Sequence, residues 1–266
     1  MTTPMTDMMT ARRTALNAMA DLPEPAAARR PFAGVRVRLE DHLPPHGARD
    51  IPPGLVTAVA DRLVRDDGTH GAGAAVLTGL SRSFDLPAAR AFHEALFGRV
   101  WDEVNRRSGP QGPGDHYRIK VNVTSDGAIP LELYGSRWSF KQLHMDRDAL
   151  LFSHLYGPAA GFGGGTLRLV DIRTYMRRRA LRFDDLFEWS REPTPGSKPV
   201  LRAEHEGPAL GECGIDLGRP GPDEIVYVNN FPGAGVLHGF TPVVPEDRSS
   251  FVREFHRCSV KGVPSC

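Results

Sequence analysis

In the segment KQLHMDRD, residues 141–148, an imidazole and a carboxylate stand two apart, His144 and Asp146, just ahead of the apolar run ALLFSHLY. On an extended strand, residues i and i+2 point to one face, so the pair could offer a ring nitrogen and a carboxylate oxygen to a single cation. Alone the pair is weak, since a chain with ten histidines should hold roughly half an accidental His-x-Asp. A metal centre also needs a third ligand. Of the histidines downstream, His154, His205, His238 and His256, only His238 has a patterned sequel, Arg248 ten residues on and Ser250 two further. If that stretch is a strand, Arg248 and Ser250 share a face. Arg253 has the opposite parity and is expected to face away. His154 sits among apolar neighbours and reads as core, while His205 and His256 have no partner pattern. The run GFGGG (161–165) lacks the Lys-Ser/Thr of a phosphate loop and reads as a tight turn.

These side chains need elements to position them. Leu55, Val59 and Leu63 recur at the four-residue step of a helix within residues 54–65, and GAAVLTGL (73–80) reads as a buried strand. Residues 85–107 predict a second helix, with Asp85 as N-cap, Pro87 in the first turn, and Phe92, Leu96 and Val100 on one face. From residue 117 the character changes. YRIKVNV, ALLFSHLY, GTLRLVD, PVLRAEH, EIVYVNN, GVLHGFTPVV and SSFVREFHRCSV are short apolar runs punctuated by Gly, Pro, Asn and Asp, so they read as strands. A helical insert interrupts them at about 172–190. Helices in front and strands behind predict an α+β protein whose second part closes as a jelly roll, a double-stranded β-helix of cupin-like form. Residues 51–266 are expected to form one domain, with helical support over 51–110 and the jelly-roll core over 117–260. Residues 1–50 read as a partly helical, frayed extension.

Composition narrows the function. The 266 residues suit a single core with elaborations, and 40% hydrophobic with 24% charged residues is ordinary for a soluble chain. A formal charge of +1 gives no footprint for nucleic acid, and the basic run MRRRALR (176–182) reads as a helix surface. No run approaches the length of a membrane helix. Three cysteines, Cys213, Cys258 and Cys266, form neither a disulfide framework nor CxxC pairs and fit a reducing cytoplasm.

The set HMD (144–146), His238 and Arg248-x-Ser250 resembles the His-x-Asp…His…Arg-x-Ser signature of the iron(II)- and 2-oxoglutarate-dependent dioxygenases. The likeness extends to FGGGTLRLVD (162–171), similar to the Gly-Gly turn and strand that often follow the His-x-Asp strand there, and less specifically to the front helices and GAAVLTGL. It implies iron(II) held by His144, Asp146 and His238, with 2-oxoglutarate and dioxygen as cosubstrates. Two imidazoles and a carboxylate on one face of an octahedral ion leave three adjacent positions, two for the keto-acid chelate and one for dioxygen. It further implies that Arg248 and Ser250 hold the distal carboxylate of 2-oxoglutarate. Halogenating members carry a small residue at the carboxylate position, so Asp146 favours C–H hydroxylation, ring closure or desaturation.

The same resemblance, to a bacterial amino-acid or natural-product tailoring member, locates substrate contacts in the strands before His-x-Asp, the segment after Gly-Gly and the loop before the distal histidine. Those regions offer Arg118, Asn122, Tyr134, Arg137, Trp138, Arg168, Asn229 and Asn230, a set suited to a small polar substrate with a carboxylate. A monomer or homodimer is expected. Two alternatives stay open: a cupin-like metal-dependent hydrolase or isomerase, which has no use for Arg248 and Ser250, and a non-catalytic jelly-roll binding protein.

Overall fold

The computed structural model describes residues 4–23, 31–43, 50–65, 71–108, 117–124, 140, 142–146, 149–190 and 198–262. In chain order the elements are α1 (Pro4–Ala20), β1 (Arg36–Arg38), α2 (Pro53–Leu63), β2 (Ala74–Thr78), α3 (Leu86–Ser108), β3 (Tyr117–Thr124), β4 (Ala149–Tyr156), β5 (Phe162–Gly163) and β6 (Leu167–Asp171). There follow α4 (Ile172–Arg179), α5 (Phe183–Leu186), β7 (Phe187–Trp189), β8 (Pro199–Leu201), α6 (Ala203–Cys213), β9 (Gly214–Gly218), β10 (Glu224–Asn229), β11 (Val236–Phe240), β12 (Val244–Pro245) and β13 (Phe255–Gly262).

The strands form two principal sheets. The larger has the order β1-β2-β10-β4-β13-β3, antiparallel except where β1 runs parallel to β2; the smaller has the order β11-β6-β9, with β7-β8 and β12-β5 as two-stranded companions. Side chains alternate across the larger sheet as the pleat requires. Ala75, Leu77, Leu151, Leu155, Ile225, Tyr227, Cys258 and Val260 pack against α2 and α3. Their neighbours Ala74, Val76, Phe152, Tyr156, Val226 and Val228 turn the other way, toward Leu167, Leu169, Val236 and Phe240 of the smaller sheet. The far face of that smaller sheet, through Val170 and Leu237, meets Leu16 of α1 and the apolar faces of α4, α5 and α6. The result is four layers, helix, sheet, sheet, helix, with one apolar seam between the two sheets.

Local chemistry explains the helix ends. Pro53 opens α2 after the extended residue Pro52, and Leu55, Val59 and Leu63 are fully buried as the periodicity predicts. Asp85 Oδ1 accepts from the N–H of Ala88 at 2.9 Å, the N-cap expected for α3. Asp171 caps α4 through Thr174 and is gripped by both terminal nitrogens of Arg65, at 3.1 and 2.8 Å. Among the described residues no helix is long and apolar enough to cross a membrane.

Three expectations need correction. The run PVLRAEH is a strand only as far as Leu201; helix α6 follows, with Glu204 and Glu206 in its favourable first turn and Pro208 inside it. The Gly-Pro pair at 207–208 is what disguises this helix in the sequence. The stretch SSFVREFHRCSV is not one strand, because residues 248–250 form a turn and β13 begins at Phe255. The start of the chain is also more than a frayed extension: Arg12 and Leu16 of α1 are completely buried.

Candidate metal centre

His144 belongs to no named strand but pairs with two. Its N–H donates to the carbonyl of His238 at 3.0 Å and its carbonyl accepts from the N–H of His238 at 3.1 Å, while on its other side it bridges to Val200 of β8. Alternation then sorts the side chains: Leu143 and Met145 enter the core beneath α4–α6, and His144 and Asp146 turn to the seam between the sheets. A close backbone approach makes this possible, since a Cβ on Gly239 would come within 2.8 Å of the Gln142 carbonyl oxygen. Behind Asp146, the Asn230 amide donates to the carbonyl of Asp146 at 2.8 Å and to that of Ala149. Asn230 is held in turn by Arg12, through its own carbonyl at 3.0 Å and its side-chain oxygen at 3.3 Å. Asn230 therefore shapes the ligand loop rather than facing a substrate, and burial lowers the Arg12 guanidinium to about 10.

The chain thus brings together His144, Asp146 and His238, which are 2%, 3% and 4% exposed and whose candidate ligand atoms all lie within 4.8 Å of one another. His144 Nδ1 lies 2.9 Å from the Gln142 carbonyl, which fixes the tautomer with Nδ1–H donating and leaves Nε2 as a lone pair, 3.6 Å from Asp146 Oδ1. His238 Nδ1 is buried with no hydrogen-bond partner among the described residues. Burial holds both imidazoles below their ordinary pKa, helped at His144 by Lys198 and at His238 by His144, which favours the neutral rings. For Asp146 burial pushes upward, but Lys198, whose Nζ is 2.5 Å from Oδ1, and Arg257, which bonds Oδ2, hold the carboxyl well below its usual range. Two neutral imidazoles and one ionised carboxylate, desolvated and converging, suit a divalent first-row metal such as iron.

The residues proposed for a cosubstrate fall out differently. Arg248 and Ser250 are exposed on the turn, and the Ser250 hydroxyl donates to Asp247 Oδ2 at 2.7 Å. The same-face argument fails there because a turn has no period of two. The buried guanidinium of this stretch is Arg253, 3% exposed, with neither Nη1 nor Nη2 bonded among the described residues. It stacks 4.4 Å above the Tyr156 ring, with Phe162 and Phe240 at 5.4 and 5.9 Å. Phe240 shares a face of β11 with His238, and Phe152, on the Tyr156 face of β4, lies 4.7 Å from the His238 ring. Arg253 and the three candidate ligands therefore line one seam. The glycine turn fits beneath it: Gly165, at φ +73°, leaves room that a Cβ would take from Arg253 Nη1 at 3.4 Å.

Of the substrate residues, Arg168 points to the far face of β6 and pairs with Glu206 of α6 at 3.0 Å, away from the seam. Asn229 is spent on the carbonyl of Leu63 at 2.8 Å and the N–H of Phe231 at 3.0 Å. Tyr134, Arg137 and Trp138 lie outside the described residues; Arg118 and Asn122 fall on β3, next to β13 in the sheet. Lys198 and Arg257 carry no local sequence signal, because each lies far along the chain from the His-x-Asp pair it meets. Register alone would have found Arg257, which stands opposite His154 on the seam face of the larger sheet. His154 shares that face, and its Nε2 is buried with no bonded partner among the described residues.

A second cluster, His93, His256 and Cys258, lies behind the larger sheet. The Ser153 hydroxyl is 2.5 Å from His93 Nε2, the two Nδ1 atoms are 2.9 Å apart, and His256 Nε2 is 2.9 Å from Glu94. Every ring nitrogen is satisfied, so this is a hydrogen-bonded chain tying α3 to β4 and β13. Burial, then His256, pulls His93 from 6.5 down to about 3. The unfolded chain binds this proton below about pH 6.5 and the folded chain only near 3, so stability is full above 6.5 and is lost as pH falls between those values. The loss is at most about 1.4 kcal/mol per pH unit. Urea unfolding at pH 7.5 and pH 5 should show a larger decrease for the parent than for His93→Gln; equal decreases would refute it.

No family model matches the chain, and no curated protein is similar to it in sequence. Its structural neighbours include non-heme iron oxygenases. An asparagine oxygenase is 17% identical with a TM-score of 0.46, covering 96% of this chain and 90% of that one. The non-heme iron oxygenase OrfP, as a variant in complex with (3S)-hydroxy-L-Arg, is 14% identical with a TM-score of 0.43 over 97% and 92% of the two chains. A bsmA homolog from Methylobium petroleophilum PM1 is 14% identical with a TM-score of 0.36; there the match spans 66% of this chain and 53% of that longer one.

Proposed function

We propose that this chain is an iron(II)- and 2-oxoglutarate-dependent oxygenase, built on a double-stranded β-helix, that oxidises a C–H bond of a small carboxylate-bearing molecule such as an amino acid or derivative. The observation that carries this reading is the pairing, in one seam, of the buried His144/Asp146/His238 set with the buried guanidinium of Arg253, whose Nη1 and Nη2 have no bonded partner among the described residues. A metal-only hydrolase would have no use for that guanidinium.

His144 Nε2, the Asp146 carboxylate and His238 would hold the iron. Iron held there would, with 2-oxoglutarate and dioxygen, supply the oxidising chemistry, with succinate and carbon dioxide as the co-products. Arg253 would take the distal carboxylate of 2-oxoglutarate: a buried carboxylate is tolerated when paired and hydrogen-bonded, and a planar fork offers two parallel bonds. Tyr156, Phe162 and Phe240 keep water from that pair and fix its plane. Arg257, on the neighbouring strand β13 and beside the metal ligands, is placed to take the substrate carboxylate. Hydroxylation, ring closure and desaturation all begin from the same substrate placement.

The test is reconstitution with iron(II) under anaerobic conditions, addition of 2-oxoglutarate, then admission of oxygen. Succinate release that requires both iron and 2-oxoglutarate is expected. A protein that binds iron but neither binds nor consumes 2-oxoglutarate would overturn the proposal.

A further inference from the structure

Asp146 is one carboxylate facing two cations. Lys198 Nζ lies 2.5 Å from its Oδ1, 3.5 Å from His144 Nε2 and 4.0 Å from the centre of the Phe140 ring. Arg257 reaches Oδ2 and lies 4.7 Å over Phe152. The side chains of Lys198 and Arg257 keep 16% and 20% exposure, against 4% for Asp146, so the cations form the solvent edge of the site and the carboxylate its floor.

Metal binding would break this balance, because an Asp146 oxygen given to iron would be withdrawn from these cations and the ion would add two positive charges. Counting Lys198, Arg257, Arg253 and the iron against Asp146 and a 2-oxoglutarate dianion leaves two positive charges uncompensated among the described seam residues. A buried charge without a partner is strongly unfavourable. A zwitterionic amino acid with a neutral side chain would bring one carboxylate, enough for Arg257, but its ammonium cancels that charge and Lys198 would be left without an anion; a second acidic group gives Lys198 a partner and lowers the excess from two charges to one.

We infer that Lys198 reads a second acidic group, so that the substrate class is a dicarboxylate, such as an amino acid with an acidic side chain or its derivative. The inference rests on the function proposed above and narrows it. Lysine suits the role because its ammonium is a compact charge on a mobile stem, able to leave Asp146 for a ligand without matching a plane. The orphaned His154 Nε2 on the same face is a further polar contact for such a molecule.

The test compares isosteres that differ by one charge. Anaerobic protein loaded with iron(II) and 2-oxoglutarate is titrated with L-aspartate, L-glutamate and L-2-aminoadipate and with their side-chain amides, following the perturbation of the iron chelate's visible absorption. At least one acid should bind tenfold or more tightly than its amide. In Lys198→Met the ratio should collapse to about one, and in Lys198→Glu it should invert. Because the ratio is read within each protein, any change in iron or 2-oxoglutarate affinity cancels. A ratio that survives in Lys198→Met, or no preferred acid in a parent that visibly binds 2-oxoglutarate, overturns the inference alone. A parent that never forms the 2-oxoglutarate chelate overturns this inference and the proposed function together.

Discussion

Replacing Arg253 by alanine should lower 2-oxoglutarate affinity by a hundredfold or more, about 3 kcal/mol, while leaving iron binding in place. The guanidinium is 3% exposed and its terminal nitrogens have no partner among the described residues, so its burial is unfavourable until a carboxylate arrives. That asymmetry gives a second, opposite readout. Arg253→Met, which keeps apolar volume over Tyr156 and discards the unpaired charge, should melt no lower than the parent without ligand, yet should lose the rise in melting temperature that 2-oxoglutarate gives the parent. Arg253→Lys keeps charge without the fork and should fall between. Arg248→Ala and Ser250→Ala, on the exposed turn, should bind like the parent. Anaerobic titration followed by the chelate's absorption measures all five. Normal affinity in Arg253→Ala, or a hundredfold loss in Arg248→Ala, would remove Arg253 from the role.

Loss of any one ligand, by His144→Ala, Asp146→Ala or His238→Ala, should weaken iron binding by more than the roughly 10- to 100-fold expected for an outer hydrogen-bond partner. The three should differ in stability. Without Asp146, Lys198 and Arg257 face each other with their shared counter-ion gone; because both cations reach the solvent edge, the cost should fall below the ~3–5 kcal/mol of a fully buried pair. Removing His238 instead deletes a ring whose Nδ1 has no bonded partner among the described residues, so the metal-free fold should tolerate it better. Metal content after dialysis and urea unfolding of the metal-free proteins separate the two effects. Three variants that retain stoichiometric iron would rule out the site.

What could be read from sequence is what has a local period. The helical step of Leu55, Val59 and Leu63, the Asp85 cap and the same-facing His144 and Asp146 all rest on neighbours within a few residues, and the fold places them so. His238 stands out in the sequence by its sequel, Arg248 and Ser250, which lie on an exposed turn. Their shared parity presumes a continuing strand, and between Pro245 and Phe255 there is none. Arg253, with the opposite parity, is the residue that enters the seam. Lys198 and Arg257 were illegible for another reason: each meets Asp146 only through pairings between distant segments, of β8 with His144 and of β13 with β4. Helix α6 was hidden by glycines and a proline, whose propensities are overruled by Ala209 and Cys213 packing into the core beneath.

The reciprocal backbone bonds between His144 and His238 bear on how an ion would be captured. Two of the three donors are fastened to each other by the main chain, so the chelating angle is set during folding and little ordering remains for the moment of encounter. Affinity should then follow the integrity of that rung rather than the side chains alone. The amide protons of the two histidines form a natural gauge: their exchange with deuterated solvent reports how often the rung opens, and a bound ion, by bridging the same two residues, should slow both together.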